Sequence, residues 1–290
     1  MADRALQADN TGTYRGDCAL PPDLQAQLQA LPQLVPLQEQ HAVLASVIEQ
    51  DIIPRLLLAR GSERAASAAA LDIATKLAER VGEFSELVVN HDPAASVAYF
   101  EKLRDQGASI ETLFADLLAP TARRLGELWT EDINDFYDVA RGIGHLQHIV
   151  RTFGQEFSDE NIHPVTNRRA LIMPLPGEQH TFGISLLREH LLRDGWRVWC
   201  GPCASMGDVV KLVKSQWFDT VGLSASAIAD PEKLAAEIRK IRAASTNKAV
   251  HVMVGGYAFN MEPDLVARVG ADATAVDARQ AVTEAASGRR

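Results

Sequence analysis

From residue 169 onward the chain alternates short apolar runs with amphipathic ones. RALIMPL, WRVWC, DTVGLSAS, AVHVMVGG and DATAV have the length and composition of strands. Between and after them, EQHTFGISLLREHLLRDG, MGDVVKLVKSQW, DPEKLAAEIRKIRAAS, EPDLVARVG and ARQAVTEAAS space their apolar residues as helices do. A helix between every two strands returns the chain to the same edge each time, so successive strands run parallel and both sheet faces are covered. The spacing predicts a five-stranded parallel, doubly wound sheet over 169–286. Such sheets bind ligands beyond the C-terminal ends of their strands, and function is to be sought in the loops there.

The chain before this segment has another period. Residues 36–158 read as helices throughout. QHAVLASVIEQDIIPRLLLAR sets Val43, Val47, Ile48 and Ile52 on one stripe, and SAAALDIATKLAERVGEFSELVV follows. SVAYFEKLRDQG closes on Gly107; SIETLFADLLAPTARRLGELWTED has Ser109 as its cap, and NDFYDVARGIGHLQHIVRTFGQEF has Asn134. Four or five antiparallel helices with short connections make a bundle. Residues 1–35 lack a regular apolar period and read as a flexible tail. The polar stretch 159–168, which contains Pro164, is the linker to the α/β domain.

Composition narrows the function classes. A formal net charge of −9 over 290 residues is the wrong sign for an independent grip on nucleic acid, which leaves DNA at most an indirect partner. No apolar stretch has membrane-spanning length, and no signal peptide begins the chain. Three cysteines, Cys18, Cys200 and Cys203, make no disulfide framework and fit a reducing cytoplasm.

Two of them lie in Trp199-Cys200-Gly201-Pro202-Cys203, which matches a thioredoxin active site letter for letter. Its surroundings do not. A thioredoxin has a cis-proline loop and an antiparallel hairpin downstream, whereas Pro231 and Pro263 here begin helices and further strand–helix units follow. Packing at a strand end is the favoured reading, with an auxiliary redox response as the alternative.

The loop after the first strand is more informative. Pro176 and Gly177 form a turn, and Glu178-x-His180-x-x-Gly183 opens the next helix. A carboxylate two residues before a histidine can orient its imidazole, as the partners of metal-ligating histidines do, and neutral imidazole suits cobalt or iron. Ser224-Ala225-Ser226 ends the third strand, with 40 residues between Gly183 and Ser224, and Gly255-Gly256 ends the fourth, with 28 residues between Ser226 and Gly255. Small residues at adjacent strand ends let a bulky group approach the backbone, and together they suggest a slot into the domain.

This constellation resembles the cobalamin-binding domain, with its flavodoxin-like, Rossmann-type fold, found in methionine synthase, B12-dependent mutases and light-sensing B12 regulators. Their pattern is Asp-x-His-x-x-Gly, then Ser-x-Leu, then Gly-Gly at similar spacings. The resemblance implies that His180 is the lower cobalt ligand, with Glu178 where Asp is usual. It places Gly183, Ser224, Gly255 and Gly256 along the slot for the cofactor's displaced tail, with Ser226 where Leu is usual.

In those proteins a helical bundle caps the upper face of the corrin, and the light-sensing members carry Trp, nine residues, then Glu-His. Trp129 is present here; Val139-Ala140 stand at the Glu-His positions. His145 and His148 lie three apart further along, after Gly142 and Gly144. Glycines in a helix cost about 1 kcal/mol each relative to alanine, and either a flat macrocycle or a helix–helix contact would account for them. The segment LLAPTARRLGELW…DF.DV..G...LQ resembles the AerR/PpaA regulators of photosynthesis genes in purple bacteria, and the corresponding domain of AppA. That likeness implies a non-enzymatic antirepressor that senses light through hydroxo-, adenosyl- or methylcobalamin and acts on a CrtJ/PpsR-type repressor. His145 is then the upper ligand and Trp129 a packing residue on the upper face. Haem between the two histidines, or a corrinoid methyl-transfer carrier, are the alternatives on the same fold.

Overall fold

The computed structural model describes residues 73, 75–160, 167–201 and 205–288. The expected tail at 1–35, the helix assigned around Val43 to Ile52, most of the linker, and Cys18, Pro202 and Cys203 lie outside the described residues.

The helical half begins with α1 over residues 75–90 and α2 at Pro93–Asp105. Asp92 caps α2, its side chain accepting from the Ala95 amide, and Pro93 takes the first helical position, where its missing N–H costs nothing. Gly107, at φ +97°, turns the chain into the next helix. That helix is α3 (Ile110–Leu113), a π-helical turn (Phe114–Leu118) and α4 (Ala119–Thr130) in continuous succession, capped by Ser109. The wide turn has a local cause. Pro120 has no N–H to give the turn before it, and the Ala119 amide reaches back five residues to the Phe114 carbonyl. The last bundle helix, α5 (Phe136–Asp159), is capped by Asp135 in a reciprocal box with Asp138, one residue later than the expected Asn134.

The α/β half follows as β1 (Arg169–Pro174), α6 (Phe182–Arg193), β2 (Arg197–Cys200), α7 (Met206–Ser215), β3 (Thr220–Ser224), α8 (Pro231–Ala244) and β4 (His251–Gly255). Two short helices, α9 (Tyr257–Met261) and α10 (Leu265–Val269), lead to β5 (Ala273–Thr274) and α11 (Ala278–Ser287). All pairings are parallel, in the order β2-β1-β3-β4-β5. The expected five-stranded α/β sheet is therefore present. α9 is an addition, a single turn directly behind the glycine pair and too short to show a period.

Alternation along the strands sorts the core into two layers. Leu171, Met173, Val221, Leu223, Val252 and Val254 face the side that α7 to α10 cover. Ala170, Ile172 and Met253 face α6 and α11. The two halves share a core as well. Phe182 and Leu186 of α6 are buried in the same cluster as Phe100, Phe114, Phe153 and Phe157 of the bundle, and the described residues of both halves fall in one compact unit. Around this seam Arg193 reaches Glu111 and Glu160, and Arg279 reaches Asp116 and Glu111. Burial would raise the Glu111 pKa, but the hydrogen bond and charge of Arg193, with the charges of Arg279 and His190, hold it below the usual range.

Candidate cofactor site

The chain leaves β1 through a tight turn, Leu175-Pro176-Gly177-Glu178, closed by the Glu178 amide donating to the Leu175 carbonyl at 2.9 Å. Proline presets the second position and Gly177, at φ +90°, supplies the positive dihedral of the third, as a type II turn requires. The helix starts only at Phe182, so Glu178 to Thr181 form a loop rather than the helix opening expected from the sequence. That loop stands at the C-terminal edge of the sheet, where Pro174, Ser224 and Gly255 sit side by side in register.

Glu178 organises the loop. Its Oε1 accepts from the His180 amide at 2.8 Å and lies 2.5 Å from His180 Nδ1. Its Oε2 accepts from both the amide and the hydroxyl of Ser226, each at 2.6 Å. Burial alone would raise the carboxyl pKa; the donors from Ser226 and His180 outweigh it and hold the group at about 2. A carboxylate ionised at neutral pH keeps the imidazole proton on Nδ1 and leaves the Nε2 lone pair available. The His180 side chain is 69% exposed while that of Glu178 is 8% exposed, which gives an open imidazole on a buried anchor. The chain's two departures from the family pattern, Glu for Asp and Ser for Leu, meet each other at this contact. Nothing in the sequence announced that Ser226 holds Glu178; only the fold brings two loops 48 residues apart into one hydrogen-bonded group.

The small residues divide by role. A Cβ on Gly256 would fall 2.4 Å from the Ala225 carbonyl oxygen and 2.9 Å from Ser224 Oγ, and the backbone there has φ +95°, so only glycine fits. A Cβ on Gly255 or on Gly183 would meet no atom within 4 Å. No contact among the described residues requires glycine at either position, and Gly255 stands in register with Ser224 at the sheet edge. An open imidazole, an ionised anchor and open space at Gly255 fit a macrocyclic metal cofactor with a long tail.

On the helical half, Trp129 is half exposed at the end of α4, followed by the exposed Ile133, Phe136 and Tyr137. His145 is buried in the bundle, and its Nδ1 has no hydrogen-bond partner among the described residues. Burial pushes its pKa down, opposed by the Val88 carbonyl. His148 is exposed. Of the two glycines, Gly142 is accounted for by helix contact, because a Cβ there would lie 2.7 Å from Leu125 Cδ1; Gly144 faces open space. Cys200 ends the edge strand β2, and burial pushes its thiol up, the opposite of an activated thiolate.

A parallel sheet with a carboxylate-braced histidine and small residues at its C-terminal edge is similar to a cobalamin-binding domain. Residues 168–286 match the family model described as B12 binding domain. The uncharacterized 20.5 kDa protein in the bchF-crtJ intergenic region of Rhodobacter capsulatus is 23% identical over 185 residues, spanning 64% of this chain and 96% of that protein. Among solved structures, the monomethylamine corrinoid protein of Methanosarcina barkeri superposes with a TM-score of 0.60 at 15% identity, over 73% of this chain and 96% of its own. That likeness shows a shared fold through both halves. A cobalamin-binding protein from Desulfitobacterium hafniense aligns over 75% of this chain and 98% of its own, at 17% identity and a TM-score of 0.39. No helix among the described residues is long and apolar enough to cross a membrane.

Proposed function

We propose that this cobalamin-binding protein is a light-responsive, non-enzymatic regulator in the cytoplasm, an antirepressor that acts through a CrtJ/PpsR-type repressor of photosynthesis genes. The observation that carries the cofactor part is the Glu178–His180 pair, fixed to Ser226 at the sheet edge beside the opening at Gly255. His180 Nε2 would hold the metal from below. Ser224, Gly255 and Gly256 would line the tail slot, and Gly183 would keep its mouth clear. When bound, the cofactor supplies absorption of visible light and a metal–carbon bond that light breaks. The chain's own part is to hold the group between the sheet edge and the bundle, where a change in upper ligation alters a surface shared by both halves. The relative from the bchF-crtJ region supports the regulatory reading, as does the likeness of the α4–α5 segment to the AerR/PpaA group. DNA would be reached through the repressor, in keeping with the net charge of −9.

The test mixes the purified chain with hydroxo-, methyl- and adenosylcobalamin, and separately with haem, in darkness and after illumination, then removes free ligand by gel filtration. Retained corrinoid with a light-dependent spectrum, and retention at least tenfold weaker in His180→Ala, is the expected result. Co-elution with the repressor in only one light state would establish the partner. Haem held with a low-spin spectrum and no retained corrinoid would replace this reading with haem sensing.

A further inference from the structure

Helix α5 sorts its two histidines into different surroundings. His145 lies in the row Gly142, His145, Leu146, Ile149 and Phe153, all buried against the rest of the bundle. His148 lies in the row Tyr137, Ala140, Arg141, Gly144 and His148, in which every residue but the partly covered Gly144 is exposed. The three-residue spacing rotates the helix by 300°, enough to carry one imidazole inside and leave the other at the surface. The glycines follow the same division. Gly142 is held to glycine by Leu125, whereas a Cβ on Gly144 would meet nothing within 4 Å, so no contact among the described residues explains it.

We propose that His148, rather than His145, is the side chain that ligates the cofactor's metal from the helical side, with Gly144 leaving space one turn before it. This rests on the cobalamin reading above. An axial ligand must bring a ring nitrogen into bonding distance of a metal at the centre of a wide macrocycle, which demands an exposed imidazole with small residues beside it. His148 meets both conditions as the helix stands. His145 fails the first: it lies on the buried side of the helix, and its Nδ1 is shielded from solvent. In this arrangement His145 is a core residue that remains neutral.

The full chain is loaded with hydroxocobalamin, gel-filtered, and compared with His148→Ala and His145→Ala, with far-UV circular dichroism as the check on folding. Imidazole in place of the upper water moves the absorption bands to longer wavelength and slows substitution by cyanide. The unsubstituted chain is expected to show both signs. His148→Ala should retain corrinoid, lose the shift and react with cyanide at least tenfold faster. His145→Ala should keep the shift and melt at a lower temperature. A shift that survives in His148→Ala overturns the assignment, and its loss in His145→Ala alone transfers the role to that residue. Retained corrinoid without any shift in the unsubstituted chain also overturns it. Failure of the unsubstituted chain to retain corrinoid is a different result, and removes the cofactor reading itself.

Discussion

The two faces of the central sheet are built differently. Beneath α7 to α10 the strands present Leu171, Met173, Val221, Leu223, Val252 and Val254 to Val209, Val213, Phe218, Ile238 and Phe259, and all of them are buried. Beneath α6 and α11 the cluster is smaller, with Ile172, Ile184, Leu191, Trp196 and Met253 interleaved with Ala170, Ala281 and Ala285. Toward the C-terminal ends the same face carries Ser224 and Gly255 on the strands, with Gly183 and Ala281 on the helices. Protein interiors pack to crystal density, and the open space beside Gly255 is a local departure from that rule. One face holds the fold together; the other holds it open.

The largest effect should come from breaking the full face. Phe259→Ala removes a ring with 1% exposure and is expected to cost about 3–5 kcal/mol, lowering Tm by roughly 10 °C in a thermal melt of the ligand-free chain. A shift of only a degree or two would mean that this face is not the principal core. Next is Gly256→Ala, which forces a positive φ and a backbone clash on an alanine. About 1–3 kcal/mol of destabilisation is expected, together with weaker corrinoid retention. Gly255→Leu sharpens the contrast between the faces. The side chain enters open space, so Tm should hold while cobalamin affinity falls about tenfold, or about 1.4 kcal/mol. Cobinamide, which lacks the nucleotide tail, should bind the variant as it binds the unsubstituted chain; equal losses for both ligands would show that Gly255 does not line a tail slot.

The smallest effect concerns pH. Glu178 ionises at about 2 in the fold against an ordinary value of 4.5. A depressed carboxylate contributes stability that is complete above the ordinary value and is lost as pH falls toward the folded one. Between about pH 4.5 and 2 the unsubstituted chain should therefore lose more Tm than Glu178→Gln does. Parallel melting curves for the two chains across that window would remove Glu178 from the anchoring role.

How legible all this was in the sequence depends on the range of the interactions. Strand and helix alternation is written in local periods, so the α/β order could be read directly; Asp92 and Pro93, or Asp135 and Asp138, shift helix starts by only a few residues. The glycine pair and His180 were legible as a pattern. The Ser226–Glu178 bond was not, because it joins two loops through the sheet and leaves no local trace. Nor was the difference between His145 and His148 visible: both stand on one helix, and which side faces the core depends on where α1 and α4 pack. Gly142 and Gly144 look alike in a row of letters, and only the neighbouring Leu125 separates them.

Helix α6 has a consequence for how the protein is made. Phe182 and Leu186 complete the core of a bundle whose other helices all precede them in the chain. During synthesis the N-terminal helices leave the ribosome first and lack two of their packing partners until α6 has emerged. A chain stopped at residue 160 would present the apolar seat of Phe182 and Leu186 to water, and would be expected to associate or engage chaperones rather than persist as a separate bundle. The helical half is thus first in order of appearance and last to close, finished by the helix that begins beside His180.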